Sequence, residues 1–405
     1  MKMKSKKFVF LLISTGYIFA LLQCSKGELS DDEYHHPITP LFDYSSVAFI
    51  ARITENSSEW SLCTIDASGN DMRKIVDKTV ACQKPVCSHF GTKILFTAVK
   101  FDYWTNEDNS WGMSSEYELC IVNTDGTGLT VIDRIAPSES GRFGAVAWSP
   151  DDSQIVYVRS YDNYWNKCYL ILFNISDNTH TILQTEGNVC SPVFSPNGKQ
   201  IAYCTTVETN DIVYVHSLNN HQIYKMDVDG NKNQLIIKNA ASPKWSPRGD
   251  KIMYSISGKD GSSQISVANA DGSNQKQLTS TVSPGWWDTG FPRDGNSDPQ
   301  WTPDGSRIVY VSHDNEKPEI YIMNADGSKK TRLTKAEYWD GSPEITPDGE
   351  YILFHSRRSD MMESGICIMK LDGSGQKVLS KIGANPVVCR LQNAGVRTMK
   401  SGIER

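Results

Sequence analysis

The sequence has no excess of positive charge. Its 405 residues include 41 lysines and arginines against 47 aspartates and glutamates, for a formal net charge of -6. A protein that binds nucleic acid usually presents a basic surface that neutralises phosphates. The composition therefore argues against a nucleic-acid partner.

Beyond its first residues, the chain also lacks the long uncharged stretch that a transmembrane helix requires. The apolar run from Phe8 to Leu22 follows several lysines and is short for a membrane span. A basic start followed by such a run is typical of an export signal, which we expect over residues 1–23.

The end of this signal resembles a bacterial lipoprotein cleavage site, in the order Leu21, Leu22, Gln23 and Cys24. The resemblance implies lipidation of Cys24, and the polar residues 24–44 would then form a tether. We expect an exported, outer-membrane-anchored lipoprotein, periplasmic or surface-exposed, that touches the membrane through its lipid anchor only. The alternative is an ordinary secretory signal in which Cys24 has no role.

No Cys-x-x-Cys pair occurs, so the sequence predicts neither a zinc site nor a redox site. Nine cysteines remain after Cys24, and an odd number cannot all pair within one chain. Cys63, Cys120 and Cys367 occupy similar points in corresponding strands, as expected of small buried side chains. An envelope location is also compatible with one or two disulfides.

Catalytic signatures are missing as well. The chain contains no Gly-x-Ser-x-Gly elbow, no phosphate-binding loop and no zincin helix. We therefore predict no catalytic residues, no metal and no cofactor, and we favour a binding protein over an enzyme.

What the chain does contain is a repeat. One phrase, Ser-Pro-x-Trp-Ser-Pro-x-Gly followed by x-x-Ile-x-Tyr, recurs in six recognisable copies. Its clearest copies start at Ser242 and Asp298, related copies start at Ser191, Ser342 and Ala145, and a degraded copy covers residues 85–91. A second strand phrase with an Asp-Gly turn follows each copy, and period-two alternation bounded by Pro, Gly and Asp predicts strands joined by tight turns.

The repeat predicts an all-β fold, a single β-propeller of four-stranded antiparallel blades over residues 45–391, with a tail at 392–405. We name the strands of each blade A to D. Blade 1 lacks an A strand at its start, which either Asn385–Cys389 or Pro37–Pro40 could supply. Both solutions give seven blades, and six is the alternative count.

These phrases resemble those of the TolB β-propeller family over roughly residues 45–390. The resemblance implies the fold but does not select a function, because propellers of this family include partner-binding proteins, peptidase domains and oligogalacturonate lyases.

Blade topology predicts two unlike faces. The A–B and C–D turns are short, and they leave a blade at the face opposite to the B–C and D–A loops. All long insertions fall in the second set: residues 100–117, 159–167, 205–222, 279–298 and 335–341. We therefore expect one elaborated face around the axis of the ring.

The insertions are rich in aromatic residues beside polar ones, a mixture that suits sugar rings, peptides and protein partners. We predict a ligand-binding site formed by Tyr103, Trp104, Trp111, Tyr164, Trp165, Trp286, Trp287, Tyr338 and Trp339. Trp148, Trp245 and Trp301 belong instead to the A-strand phrase and should lie in the core.

The partner of this site would be a glycan, a peptide or an envelope protein, bound by a monomeric propeller. Two alternatives remain open. One is a metal-dependent polysaccharide lyase similar to the oligogalacturonate lyases, in which His313 and His355 would act with His216 or His221. The other is a scaffold of an envelope complex with a flat contact surface.

Overall fold

The computed structural model describes residues 46–52, 59–66, 69–81, 84–105, 111–161, 167–206, 218–259, 261–280, 295–315, 317–358 and 364–389. These residues form strands and tight turns, with one short 3-10 helix at Leu218–Asn220. No helix within these ranges is long and apolar enough to cross a bilayer. The expected signal, tether and tail lie outside the described residues.

The strands form seven four-stranded antiparallel sheets, which confirms the predicted seven blades. In order from strand A to strand D, they are β28 (Ala384–Cys389), β1 (Ser46–Ala51), β2 (Ser61–Ile65) and β3 (Arg73–Lys74) in blade 1; β4 (Val86–Cys87), β5 (Lys93–Thr105), β6 (Trp111–Asn123) and β7 (Thr130–Ile135) in blade 2; β8 (Arg142–Trp148), β9 (Gln154–Ser160), β10 (Cys168–Asn174) and β11 (Thr179–Leu183) in blade 3; β12 (Asn188–Phe194), β13 (Gln200–Thr206), β14 (His221–Asp227) and β15 (Gln234–Lys238) in blade 4; β16 (Ala241–Trp245), β17 (Lys251–Ser257), β18 (Ser263–Asn269) and β19 (Lys276–Gln277) in blade 5; β20 (Asn296–Trp301), β21 (Arg307–Asn315), β22 (Lys317–Asn324) and β23 (Thr331–Arg332) in blade 6; and β24 (Trp339–Ile345), β25 (Tyr351–Arg357), β26 (Gly365–Lys370) and β27 (Lys377–Ser380) in blade 7.

The core consists of seven apolar clusters, one between each pair of neighbouring blades. The cluster between blades 7 and 1 joins Leu353 and Ile366 to Phe49 and Cys63, so the arrangement closes into a ring. Burying each large apolar side chain stabilises the fold by about 2 kcal/mol. The A strands of neighbouring blades lie against one another, which places strand A innermost.

The first and last described strands pair in blade 1. Strand β28 pairs antiparallel with β1, from Ser46 opposite Cys389 to Ile50 opposite Ala384. This confirms Asn385–Cys389 as the missing A strand and excludes Pro37–Pro40 from that position. The first and last blade strands therefore depend on each other.

The Pro-x-Gly turns between strands A and B repeat the same hydrogen bonds. In blade 6 the Thr302 hydroxyl accepts the N–H of Arg307 at 3.0 Å and donates to Asp304. Gly305 has a φ of +70°, which suits glycine, and its Cα faces Pro247 of the preceding blade. The phrase thus fixes both the turn and the contact between blades.

The described cysteines divide into two groups. Cys63, Cys120 and Cys367 are buried free thiols, as predicted, and so is Cys168. Two disulfides also form: Cys190 with Cys204 inside blade 4, and Cys87 with Cys389 between the A strands of blades 2 and 1. The second disulfide links the closing strand β28 to the neighbouring blade.

The predicted core tryptophans do pack inside the ring. Trp148 is buried, and its indole N–H donates to the Val86 carbonyl of the preceding blade at 3.1 Å. Trp245 and Trp301 are partly buried and pack against the clusters on either side of blade 5.

Candidate functional site

The ring has two unlike faces, which we call the turn face and the loop face. The turn face carries the A–B and C–D turns, and the loop face carries the B–C and D–A connections. The A–B turns are uniform: 88–92, 149–153, 195–199, 246–250, 302–306 and 346–350. Connections on the loop face range from the single residue between Asn315 and Lys317 to residues 278–295.

The largest described feature of the loop face is a β-hairpin of blade 2, which we call the arm. It comprises residues 100–105 of β5 and 111–116 of β6, paired in continuous register from Lys100 opposite Glu116 to Thr105 opposite Trp111. At about 3.3 Å per residue the arm extends roughly 20 Å beyond the blade. Our expectation of an irregular insertion at residues 100–117 is therefore wrong, because most of this segment continues the two strands.

The structure describes part of the predicted aromatic site. Tyr103 on the arm is 67% exposed, and Tyr338, just before β24, is 51% exposed and lies under the Arg357 guanidinium. Trp339 is instead partly buried, with its ring edge-on to His355 at 4.4 Å. Trp104 and Trp111 belong to the arm strands, but their side chains lie outside the described structure, as do Tyr164, Trp165, Trp286 and Trp287.

A cluster of charged side chains, which we call the axial cluster, occupies the innermost strands. Lys84 of blade 2 donates to Glu344 of blade 7 at 2.7 Å, past the A strand of blade 1 between them. Both side chains keep about a third of their surface exposed. Lys244 of blade 5 and Asp298 of blade 6 complete the cluster, since both interact electrostatically with it.

The charges of the axial cluster act on the pKa of Lys244. Burial lowers the pKa of Lys244, and the neighbouring Lys84 lowers it further, whereas Asp298 and Glu344 raise it. Two lysines and two acidic side chains from blades 2, 5, 6 and 7 thus interact electrostatically. Such a set can hydrogen-bond polar or charged groups of either sign.

Sequence reasoning missed the axial cluster, because it assigned the whole A-strand phrase to the core. The sequence signal for the cluster is a charged residue next to the repeated proline of the A-strand phrase. Lys84 and Asp298 precede that proline in their copies, and Lys244 and Glu344 follow it. In several blades the residue before that proline has a positive φ at a β-bulge, as Asp298 does at +48°. Bulges redirect side chains and occur next to functional sites.

The two histidines of the alternative metal site are both buried in blades 6 and 7. Burial lowers the pKa of His313 to about 4, opposed by Asp298, and that of His355 to about 3. His355 pairs with Gly341 across β24, whereas His313 lies beside Gly295 at the start of blade 6. The described ranges contain no group of three His, Cys, Asp or Glu residues placed to hold a metal, and His216 lies outside them.

The fold and this geometry define a seven-bladed β-propeller with one elaborated face. The TolB beta propeller domain model matches residues 99–281 and 238–389, so the chain belongs to the TolB β-propeller domain family.

Individual relatives agree with the fold. An uncharacterized protein of Agrobacterium fabrum is 31% identical over 127 residues, which cover 31% of this chain and 39% of that protein. The β-propeller domain of the Trilobed protease from Pyrococcus furiosus has a TM-score of 0.55 at 14% identity, covering 84% of this chain and 93% of that one. An oligogalacturonate lyase from Vibrio parahaemolyticus has a TM-score of 0.54 at 11% identity, covering 83% and 86%. At these identities the structural likeness shows the fold alone.

Proposed function

We propose that this protein is a non-enzymatic binding protein of the bacterial cell envelope, which takes its ligand on the loop face. The observation that carries the proposal is the asymmetry of the ring: uniform turns on one face, and variable connections with exposed aromatics on the other. Loops held by a rigid scaffold are where binding residues concentrate.

The loop face and the centre of the ring offer two kinds of contact. Tyr103 and Tyr338 present exposed rings from blades 2 and 7, on either side of blade 1. The axial cluster adds ammonium and carboxylate groups at the centre of the ring. A glycan, a peptide or an envelope protein could use the rings for stacking and the charges for hydrogen bonds.

The envelope location rests on the N-terminal sequence. An export signal over residues 1–23 followed by Cys24 supports a lipid-anchored protein held at the outer membrane. Intact-mass measurement of the mature protein tests this, because lipidation adds acyl mass that Cys24→Ala should abolish. Release of an unlipidated chain that starts elsewhere would contradict it.

The binding proposal is tested by comparing one exposed ring on each face. Phe90 lies on the turn face and is 54% exposed, close to the 51% of Tyr338 on the loop face. Glycan arrays and envelope extracts would identify a ligand for the wild-type protein. We then expect Tyr338→Ala to weaken binding about tenfold or more, since a central aromatic contact contributes over 1 kcal/mol, and Phe90→Ala to leave it unchanged.

Thermal unfolding of both variants controls for folding, because each change removes an exposed ring. Equal loss of binding in both variants, or loss only in Phe90→Ala, would contradict the assignment of the loop face.

A further inference from the structure

The arm has an open edge on the side of β5 that faces away from β6. Strand A lies on that side of β5 in blade 2, so the edge faces the axis of the ring. Just before the arm begins, residues 79–81 cover this side of β5, with Val80 paired to Ala98 in antiparallel orientation. Among the described residues, no strand pairs with the axis side of β5 beyond Val99.

The backbone hydrogen bonds show which groups this open edge presents. The Thr97 carbonyl accepts the N–H of Ala81 at 2.8 Å, and the Val99 N–H donates to the Thr79 carbonyl at 2.9 Å. Residues of a strand alternate in the direction of these groups. The N–H and C=O groups of Phe101, Tyr103 and Thr105 therefore point to the same open side.

Side chains add an apolar surface beside this edge. Tyr103 is 67% exposed and lies opposite Met113, which is 50% exposed. The Phe101 ring lies 6.4 Å from the Tyr103 ring, on the same face of the hairpin. A two-stranded hairpin is marginally stable alone, so a third strand over these residues would both pair the edge and stabilise the arm.

We propose that an extended segment of a partner polypeptide binds the arm as a third strand, pairing with Phe101 and Tyr103 on the axis side of β5. This rests on the proposed function, in that the loop face is the binding face, and it specifies the ligand as a polypeptide. The added strand would continue the antiparallel pairing that residues 79–81 begin.

Backbone complementarity selects this occupant over a glycan. The open groups of Phe101 and Tyr103 recur every second residue, about 6.7 Å apart. Another extended polypeptide presents N–H and C=O groups at that same spacing, as in strand addition to an exposed sheet edge. Every second side chain of the bound polypeptide would face Tyr103 and Met113, and these contacts would give the site its preference among peptide sequences.

The test is a selection of short random displayed peptides on the full-length protein, with affinities then measured for two variants. Tyr103→Pro removes the outward N–H but no hydrogen bond to β6, so the arm should persist while its edge is blocked. Tyr103→Ala is the matched control, which removes the ring and keeps the edge. We expect selected peptides to lose about tenfold or more in affinity for the Pro variant relative to the Ala variant.

Amide hydrogen exchange provides the second readout. In the isolated protein the amides of Phe101 and Tyr103 should exchange faster than those of Lys100 and Asp102, which face β6. Bound peptide should protect the first pair.

Three outcomes would overturn the proposal: no peptide is selected, the Pro and Ala variants bind equally, or Phe101 and Tyr103 are already protected in the isolated protein. The last would show that this chain, or a second copy of it, covers the edge. Failure here would leave the comparison of Tyr338 with Phe90 intact, so the two proposals fail separately.

Discussion

The turn face and the loop face of this ring are built from the same repeat, yet they differ in how similar their connections are from blade to blade. On the turn face blades 2 to 7 repeat one turn, which in blade 6 is stabilised by a side-chain hydroxyl and by a contact with the preceding blade. On the loop face the connections differ in length, and one blade extends into the arm. One end of the strands thus carries the repeated, stabilising turns, and the opposite end carries the variable connections for which we propose recognition.

The largest expected effect concerns closure of the ring. The disulfide between Cys87 and Cys389 lies at the turn-face ends of β4 and β28 and spans 302 residues of sequence, against 14 for Cys190 and Cys204, which lie nearer the loop face. Chain entropy predicts a cost of about 6 kcal/mol for removing the first and about 3 kcal/mol for the second. Denaturant unfolding of the two double Cys→Ser variants measures this difference, and equal costs would contradict it.

A glycine pair compares the faces directly. Gly272 in a turn-face turn and Gly261 in a loop-face connection have nearly the same φ, +84° and +83°. A Cβ at Gly272 would lie 2.1 Å from the Ile236 carbonyl oxygen, whereas none of the described atoms lies within 4 Å of one at Gly261. We expect Gly272→Ala to cost about 3 kcal/mol and Gly261→Ala about 1 kcal/mol in unfolding free energy.

Equal destabilisation by the two alanines would mean that the backbone angle alone matters. That result would contradict the expectation that close packing against Ile236 adds to the cost at Gly272.

Buried ionisable groups near the loop face predict a pH dependence. The pKa of His355 is lowered to about 3 by burial, so the unfolded chain takes up a proton below pH 6.5 while the folded chain does not. Stability is therefore lost as pH falls from 6.5 toward 3, by about 2 kcal/mol at pH 5. Unfolding of His355→Phe as a function of pH should lack this component, and parallel curves for variant and wild type would contradict it.

The smallest expected change in stability concerns a buried network that differs between two neighbouring blade interfaces. Between blades 5 and 6, buried Gln264 accepts from Thr279 at 2.9 Å and from Asn296 at 3.0 Å. Between blades 6 and 7 the equivalent residues are acidic, with Glu319 and Asp340 on either side of Thr334. The repeat thus contains a neutral and a charged version of one buried network.

Burial raises the pKa of Asp340, although hydrogen bonds from Ser356 and Thr334 lower it. A raised pKa in the folded state means that ionisation at neutral pH destabilises the fold, and that this cost disappears on acidification below the ordinary pKa. Asp340→Asn should therefore stabilise the protein by about 1 kcal/mol at pH 7 and by little at pH 3. The reverse change, Asn296→Asp, should destabilise the protein. A loss of stability in Asp340→Asn would contradict the conclusion that the ionised carboxylate is unfavourable at this interface.

Local sequence was sufficient for the blades, but it left two candidates for the strand that closes the ring. The Pro-x-Gly and Asp-Gly turns, with apolar alternation between them, predicted the strands, and the pairing of β28 with β1 selected Asn385–Cys389 over Pro37–Pro40. The disulfide of Cys389 with Cys87 was not recognisable, since it depends on which A strands become neighbours across the ring.

The candidate site was predictable only in part. The exposed positions of Tyr103 and Tyr338 follow from insertions rich in aromatics, whereas Trp339 turns inward onto His355. The arm was expected as a loop because its strand pattern was read as an irregular insertion. The axial cluster was hidden because each of its residues belongs to a different copy of the repeat.

By itself the sequence determined the repeating unit and the face that carries the insertions, because these depend on turn chemistry and alternation within a few residues, and it left seven or six blades open. Only the tertiary structure decided which distant side chains meet on the axis, as Lys84 and Glu344 do. It also decided which backbone edge of the arm stays open. Both depend on how seven separately encoded sheets pack around a common centre, and no local pattern specifies that packing.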